Sequence, residues 1–125
     1  METPERRRSR LGLAAFMAVA GTMHFLRPRF YDPLIPERLG PPRPWVYGSG
    51  VAELAAAALL VPDRTRRAGA WATAAVLVGV FPGNVKTALD GGLQSAPGFF
   101  GTPAAAWLRL PLQIPLVRWA LRHAA

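Results

Sequence analysis

The sequence predicts an all-α fold: a polytopic membrane protein whose 125 residues form one domain, a four-transmembrane-helix bundle. Three observations predict it. The chain is 51% hydrophobic, and its apolar residues gather in four long stretches rather than in short periodic runs. The charged residues lie between those stretches. The basic residues are also unevenly shared among the connecting segments. Such segregation marks a chain whose solvent is lipid.

The first span covers about 11–26, preceded by Arg6, Arg7, Arg8 and Arg10 and ended by Pro28. The residue before a proline is pushed out of the helical region. The span is slightly short, and snorkelling Arg8 and Arg10 extend it. The same residues also suit a cleaved signal peptide, with a basic start and Ala18-Val19-Ala20 as its site. Residues 27–44 are rich in proline and charge and, with Trp45 just beyond, carry Phe30 and Tyr31. They read as a loop with interfacial aromatics, lying on the bilayer surface.

The second span, 45–62, starts after Pro44 and stops at Pro62. The third, 68–89, contains Pro82, where a kink is expected. A Gly/Pro-rich loop without basic residues, 90–103, leads to the fourth, 104–121, which Pro111 and Pro115 loosen. Small residues recur where helices could touch: Ala14, Ala18 and Gly21 in the first span, Ala52, Ala55, Ala56 and Ala58 in the second, Gly79 and Gly83 in the third. They support a compact bundle and leave a homo-oligomer open.

Orientation follows from the basic residues. One side holds nine (Arg6, Arg7, Arg8, Arg10, Arg64, Arg66, Arg67, Arg118, Arg122) and the other four (Arg27, Arg29, Arg38, Arg43). The positive-inside rule then places both termini in the cytoplasm. The net charge of +8 invites a nucleic-acid reading, but these arginines flank apolar spans instead of sharing a face with exposed aromatics. With no cysteine, disulfides, thiol relays and thiolate metal sites are excluded together. His24 and His123 fall on opposite sides by this topology, so no metal site is expected.

The candidate functional residues are the polar ones inside the spans: His24, Ser49, Glu53, Asn84, Arg109 and Gln113. Counted at about 1.5 Å per residue, Glu53 and Gln113 lie roughly 12–14 Å below the outer boundary. His24, Asn84 and Arg109 lie at roughly 5–9 Å by the same count. Ser49/Glu53 and Arg109/Gln113 have i,i+4 spacing, so each pair shares a helix face. An isolated charge at such depth costs at least ~2.5–3.5 kcal/mol, which predicts that Glu53 and Arg109 neutralise each other. His24, Asn84 and Gln113 would add hydrogen bonds. Pro82, Pro111 and Pro115 free the carbonyls of Val78, Trp107 and Pro111. Lys86, near its span's end, is expected to snorkel outward. The cluster could be a structural staple that fixes helix register. Five polar residues from four helices at one depth exceed what one staple requires, which favours a pocket for a small or quinone-like molecule.

Met23-His24-Phe25 with Pro28, the run from Tyr47 to Glu53 with Pro62 and Arg64, Phe81-Pro82-Gly83-Asn84-Val85, and Leu108 to Gln113 together resemble the DoxX family of small membrane proteins. The match runs over about 11–119; Gly83 stands where the family has Ala, and Lys86-Thr87 where His, Tyr or Met is usual. The resemblance implies a four-helix bundle in the plasma membrane, with the six polar residues as its polar set. It also implies an accessory or quinone-interacting subunit of a membrane redox system, with a membrane or soluble redox protein as partner. Two other readings fit the same residues. One is a small-molecule or proton-coupled carrier using Glu53 and His24. The other is an anchor for a soluble partner on Arg64, Arg66 and Arg67. None requires a stand-alone enzyme.

Overall fold

A computed structural model of the chain describes every residue except Gln94, which falls within the predicted 90–103 loop and lies outside the described residues. Among the described residues the structure is helical, without strands. Four helices follow one another: α1 (Pro4–Leu26), α2 (Pro42–Leu60), α3 (Arg66–Leu89) and α4 (Pro103–Arg122). Short 3-10 turns at Pro28–Phe30, Asp32–Leu34 and Glu37–Leu39 join α1 to α2, and another at Gly98–Gly101 precedes α4.

The prolines set the helix ends. α1 stops at Leu26, two residues before Pro28, and α2 at Leu60, two before Pro62. At the other end of α1 the helix starts earlier than the apolar stretch does. The Thr3 hydroxyl caps it, accepting from the Arg6 amide at 3.2 Å, with Pro4 in the first turn. Arg6 to Arg10 are therefore helical. Thr102 caps α4 in the same way, through the Ala105 amide at 3.2 Å. Pro82, Pro111 and Pro115 all sit inside continuous helices.

Each helix packs mainly on its chain neighbour, α1 on α2, α2 on α3 and α3 on α4. One end of the bundle carries the chain termini and the α2–α3 turn; the other carries the 27–41 segment. The apolar core lies in the terminal half, where Leu13, Met17, Leu60, Ala70, Ala74 and Ala120 are buried. Arg10 closes that half. Fully buried, it donates to the Leu60 and Val61 carbonyls at 2.5 and 2.8 Å and bonds both Glu2 oxygens at 2.8 Å. It also bonds Asp63 at 2.8 Å. The last carbonyls of α2 are thus satisfied by a guanidinium fork, which suits the negative end of a helix. The Arg10 hydrogen bond holds the Glu2 carboxyl below its usual range.

The outward faces are apolar. Val19, Val51, Val78 and Ile114, one on each helix, are all more than half exposed, as are Trp71 and Trp107. Of the four expected spans, α1 and α3 are long and apolar enough to cross a membrane, with mean hydropathies of 1.2 and 1.4. The other two carry features that lower theirs: α2 opens with Pro42, Arg43 and Pro44 and is rich in Gly and Ala, and α4 holds Arg109, Gln113 and Arg118.

Candidate functional site

The site begins where α1 crosses α2. Gly21 and Gly50 face each other there: a methyl added at Gly21 would lie 3.0 Å from the Gly50 carbonyl oxygen and 3.1 Å from Glu53 Cβ. Without side chains at these two positions the backbones approach closely. One turn further along each helix stand His24 and Glu53, and the crossing brings His24 Nδ1 to 3.2 Å from Glu53 Oε2.

The hydrogen bonds fix the chemistry of that pair. His24 Nδ1 donates to the Ala20 carbonyl at 2.7 Å, and a carbonyl only accepts, so Nδ1 carries a hydrogen and aims it along the helix. Glu53 Oε2 is left buried without a hydrogen-bond partner among the described residues, although Glu53 is only 7% exposed. Buried carboxylate oxygens are nearly always bonded. An unpartnered one calls for a partner from outside the protein, such as a water, an ion or a ligand group.

Beside the pair lies a cavity of about 430 Å³. His24, Glu53, Ser49 and Asn84 line it, and Leu34, Ile35, Trp45, Val46, Val80 and Pro82 supply apolar wall. Four of the six predicted residues thus share one site, with Ser49 and Glu53 on one face as their spacing required.

The remaining two lie elsewhere. The Arg109 guanidinium donates to the Phe100 carbonyl at 2.9 Å, and the expected Glu53–Arg109 ion pair is not formed. The reason is lateral: α4 packs against α3, whereas Glu53 faces α1. Gln113 Nε2 donates to the Leu77 carbonyl at 2.5 Å and so stitches α4 to α3. Its acceptor is the carbonyl next to Val78, the one that Pro82 deprives of its usual donor. Gly79 and Gly83 do not form a helix contact either. Both line the cavity, and Gly83 lets the Leu34 carbonyl approach.

Sequence reasoning missed the lid. The 27–41 segment does not spread away from the bundle but folds over its end. Tyr31 stacks on His24 with ring centroids 3.8 Å apart and planes 17° from parallel. Burial pushes the Tyr31 phenol above its ordinary range; the Glu53 charge adds to that and Arg109 opposes it. Lys86 reaches toward the loop end, where it donates to the Pro33 carbonyl at 2.8 Å and pairs with Asp90 at 2.7 Å. Arg43 bonds both Asp32 oxygens at 3.0 and 3.1 Å, Trp45 donates to the Leu39 carbonyl at 3.1 Å, and Ser95 to that of Phe30 at 3.0 Å. The aromatic Tyr31 in a proline-dense loop just after His24 was the available signal.

A hollow of about 480 Å³ beside Leu26, Arg27 and Phe30 is the larger by volume, but it lacks such a group: its Arg43 already holds Asp32. Among the described residues no three His, Asp or Glu side chains converge as metal ligands would.

Fold and site define a four-helix, all-α protein with a lidded cavity built on a His–Glu pair. The chain belongs to the family described as Domain of unknown function (DUF8561), which matches residues 13–124 and so takes in α1 from Leu13 on, the other three helices and the whole cavity. No curated protein and no solved structure matches it.

Proposed function

We propose that the chain is a DoxX-like integral membrane protein of four spans, both termini cytoplasmic in the plasma membrane. In this reading it binds a small amphipathic molecule, quinone-like in chemistry, as an accessory subunit of a membrane redox system. The apolar outward faces of all four helices support the membrane reading, because contiguous exposed apolar surface on that scale is not left in water. The nine-to-four basic count supports the orientation.

The observation that carries the binding role is the unpartnered Glu53 oxygen beside His24, at the edge of a cavity with otherwise largely apolar walls. A ligand hydroxyl would donate to Glu53 Oε2, and the apolar body would lie against Leu34, Ile35 and Val80. His24, with Nδ1 engaged, keeps Nε2 as its second polar atom and is held in place by Tyr31. Ser49 and Asn84 add a hydroxyl and an amide for a second polar group on the ligand. The filled terminal half, sealed by Arg10, disfavours the carrier reading, which needs a path through it.

The test is purification in mild detergent, with co-purifying quinones and lipids identified by mass spectrometry. His24→Phe and Glu53→Leu should keep membrane abundance and lose about ten-fold or more of the ligand per folded molecule. Gln113→Met, outside the cavity, should lower abundance and leave that ratio unchanged. Full retention by both cavity variants, or a wild-type protein that carries no such molecule, would sink the reading.

A further inference from the structure

At the opposite end of the bundle a second, smaller cavity of about 170 Å³ is bordered by Arg6, Arg66, Arg67, His123 and Glu2. Glu2, the one carboxylate side chain among the described residues on the cavity's border, acts electrostatically on Arg66 but leaves the arginines without a hydrogen-bonded carboxylate partner. Both Glu2 oxygens are engaged by Arg10, and Asp63 is bonded to the same guanidinium. Arg66 and Arg67 form no ion pair among the described residues, and Arg6 is held over the cavity by donating to the Arg122 carbonyl.

His123 provides an independent pointer. It is 3% exposed, and its Nε2 lies 3.1 Å from the Ser9 hydroxyl. That hydroxyl already accepts from Trp119 Nε1 at 2.9 Å. With the Ser9 hydroxyl taken as donor to His123 Nε2, its one acceptor among the described residues, the ring's own hydrogen is on Nδ1. Nδ1 is buried and has no acceptor. Burial, with help from the Arg6 charge, keeps His123 below its ordinary range and so favours the uncharged ring. A buried donor without an acceptor, beside three guanidinium groups, is what an oxyanion would complete.

We infer that this cavity binds a phosphate group, held by Arg6, Arg66 and Arg67 and oriented by the Nδ1–H of His123. Two sources share that chemistry: the headgroup of an anionic phospholipid, and free phosphate. The lipid source rests on the membrane reading above, since it requires this end to face the anionic cytoplasmic leaflet. The phosphate source does not.

The full chain, purified in neutral detergent, is titrated with inorganic phosphate and, separately, with phosphatidylglycerol or phosphatidylcholine. Bound lipid is counted by native mass spectrometry, and the His123 ring nitrogens are followed by NMR. The expected result is that phosphate or phosphatidylglycerol, but not phosphatidylcholine, shifts the Nδ1 resonance. Replacing Arg66→Gln and Arg67→Gln together should weaken binding about ten-fold or more and abolish the shift. Replacing Arg64→Gln and Arg118→Gln removes the same charge away from the cavity and should change binding less than about two-fold. A preference for phosphatidylglycerol that survives excess inorganic phosphate assigns the lipid; equal competition assigns the free ion. Equal losses in the two double variants, an unmoved His123, or no binding of either probe would overturn the site.

Discussion

Gly50→Ala tests how the His24–Glu53 pair is made. The added methyl would stand 2.8 Å from both His24 Cβ and Phe25 Cε2, and 3.1 Å from the Gly21 carbonyl oxygen. Carbon atoms rest about 3.5–4.0 Å apart, so the overlap is about 0.7–1.2 Å. The Phe25 ring, 42% exposed and stacked on Tyr47 at 5.4 Å, can turn aside. His24 Cβ cannot turn, because it is fixed to the α1 backbone. Relief therefore requires α1 and α2 to separate, and the 3.2 Å between His24 and Glu53 opens to roughly 4 Å, which takes the ring away from the carboxyl. Overpacking costs about 1–3 kcal/mol, offset by up to about 1 kcal/mol of helix propensity gained over glycine. The expected net loss is about 0.5–2 kcal/mol, together with loss of any ligand held by the pair. Gly48→Ala is the control: it lies on the same helix with nothing within 4 Å of the new methyl, so only the propensity gain remains. The assay is the unfolding midpoint in mild detergent with ligand content per folded molecule. If Gly50→Ala and Gly48→Ala move the midpoint alike, the close crossing does not build the site.

Three further outcomes are expected. Cysteine introduced at Ser95 should react with an impermeant reagent in intact cells and cysteine at Thr65 should not; labelling at Thr65 would reverse the proposed orientation. Glu53→Gln and Arg109→Gln should have additive effects on stability, since Arg109 bonds Phe100 and not Glu53; a double-mutant coupling above about 0.5 kcal/mol would restore the ion pair. Because Arg10 lowers the Glu2 pKa, the stability Glu2 contributes is complete above its ordinary value of 4.5 and is lost as pH falls through its lower folded-state value. Glu2→Gln should therefore narrow the gap to wild type only in that acid range, and a gap that stays constant from pH 6 to about 3 would remove Glu2 from the Arg10 node.

Helix number and most helix ends were legible because Pro28 and Pro62 fall at the ends of apolar stretches and close helices there, whereas Pro82, Pro111 and Pro115, inside such stretches, do not. The start of α1 was harder to read, since Thr3-Pro4-Glu5 is a capping signal that hydropathy overlooks. Within the site, Ser49/Glu53 followed from spacing on one helix. His24 and Asn84 followed from depth. Depth also selected Arg109 and Gln113, and there it failed, because depth along a bundle carries no information about which helix lies alongside. The same limit hid Lys86, whose partner Pro33 is far away in sequence, and the lid as a whole, which depends on contacts between 3-10 turns and α3.

The two ends of the bundle treat their buried polar groups differently, and that difference favours a binding site over a staple. At the terminal end Arg10 has carbonyls of Leu60 and Val61 and carboxylates of Glu2 and Asp63 around one guanidinium. This is how a structural polar node is satisfied, with each donor direction answered. At the loop end the geometry that would let Glu53 and His24 satisfy each other is close at hand, yet the imidazole hydrogen goes to Ala20 and a carboxylate oxygen remains alone. A staple built this way would lose stability from its own unpaired oxygen, at about 1–3 kcal/mol or more for a charged group. A pocket keeps that oxygen available for its ligand and recovers the loss on binding.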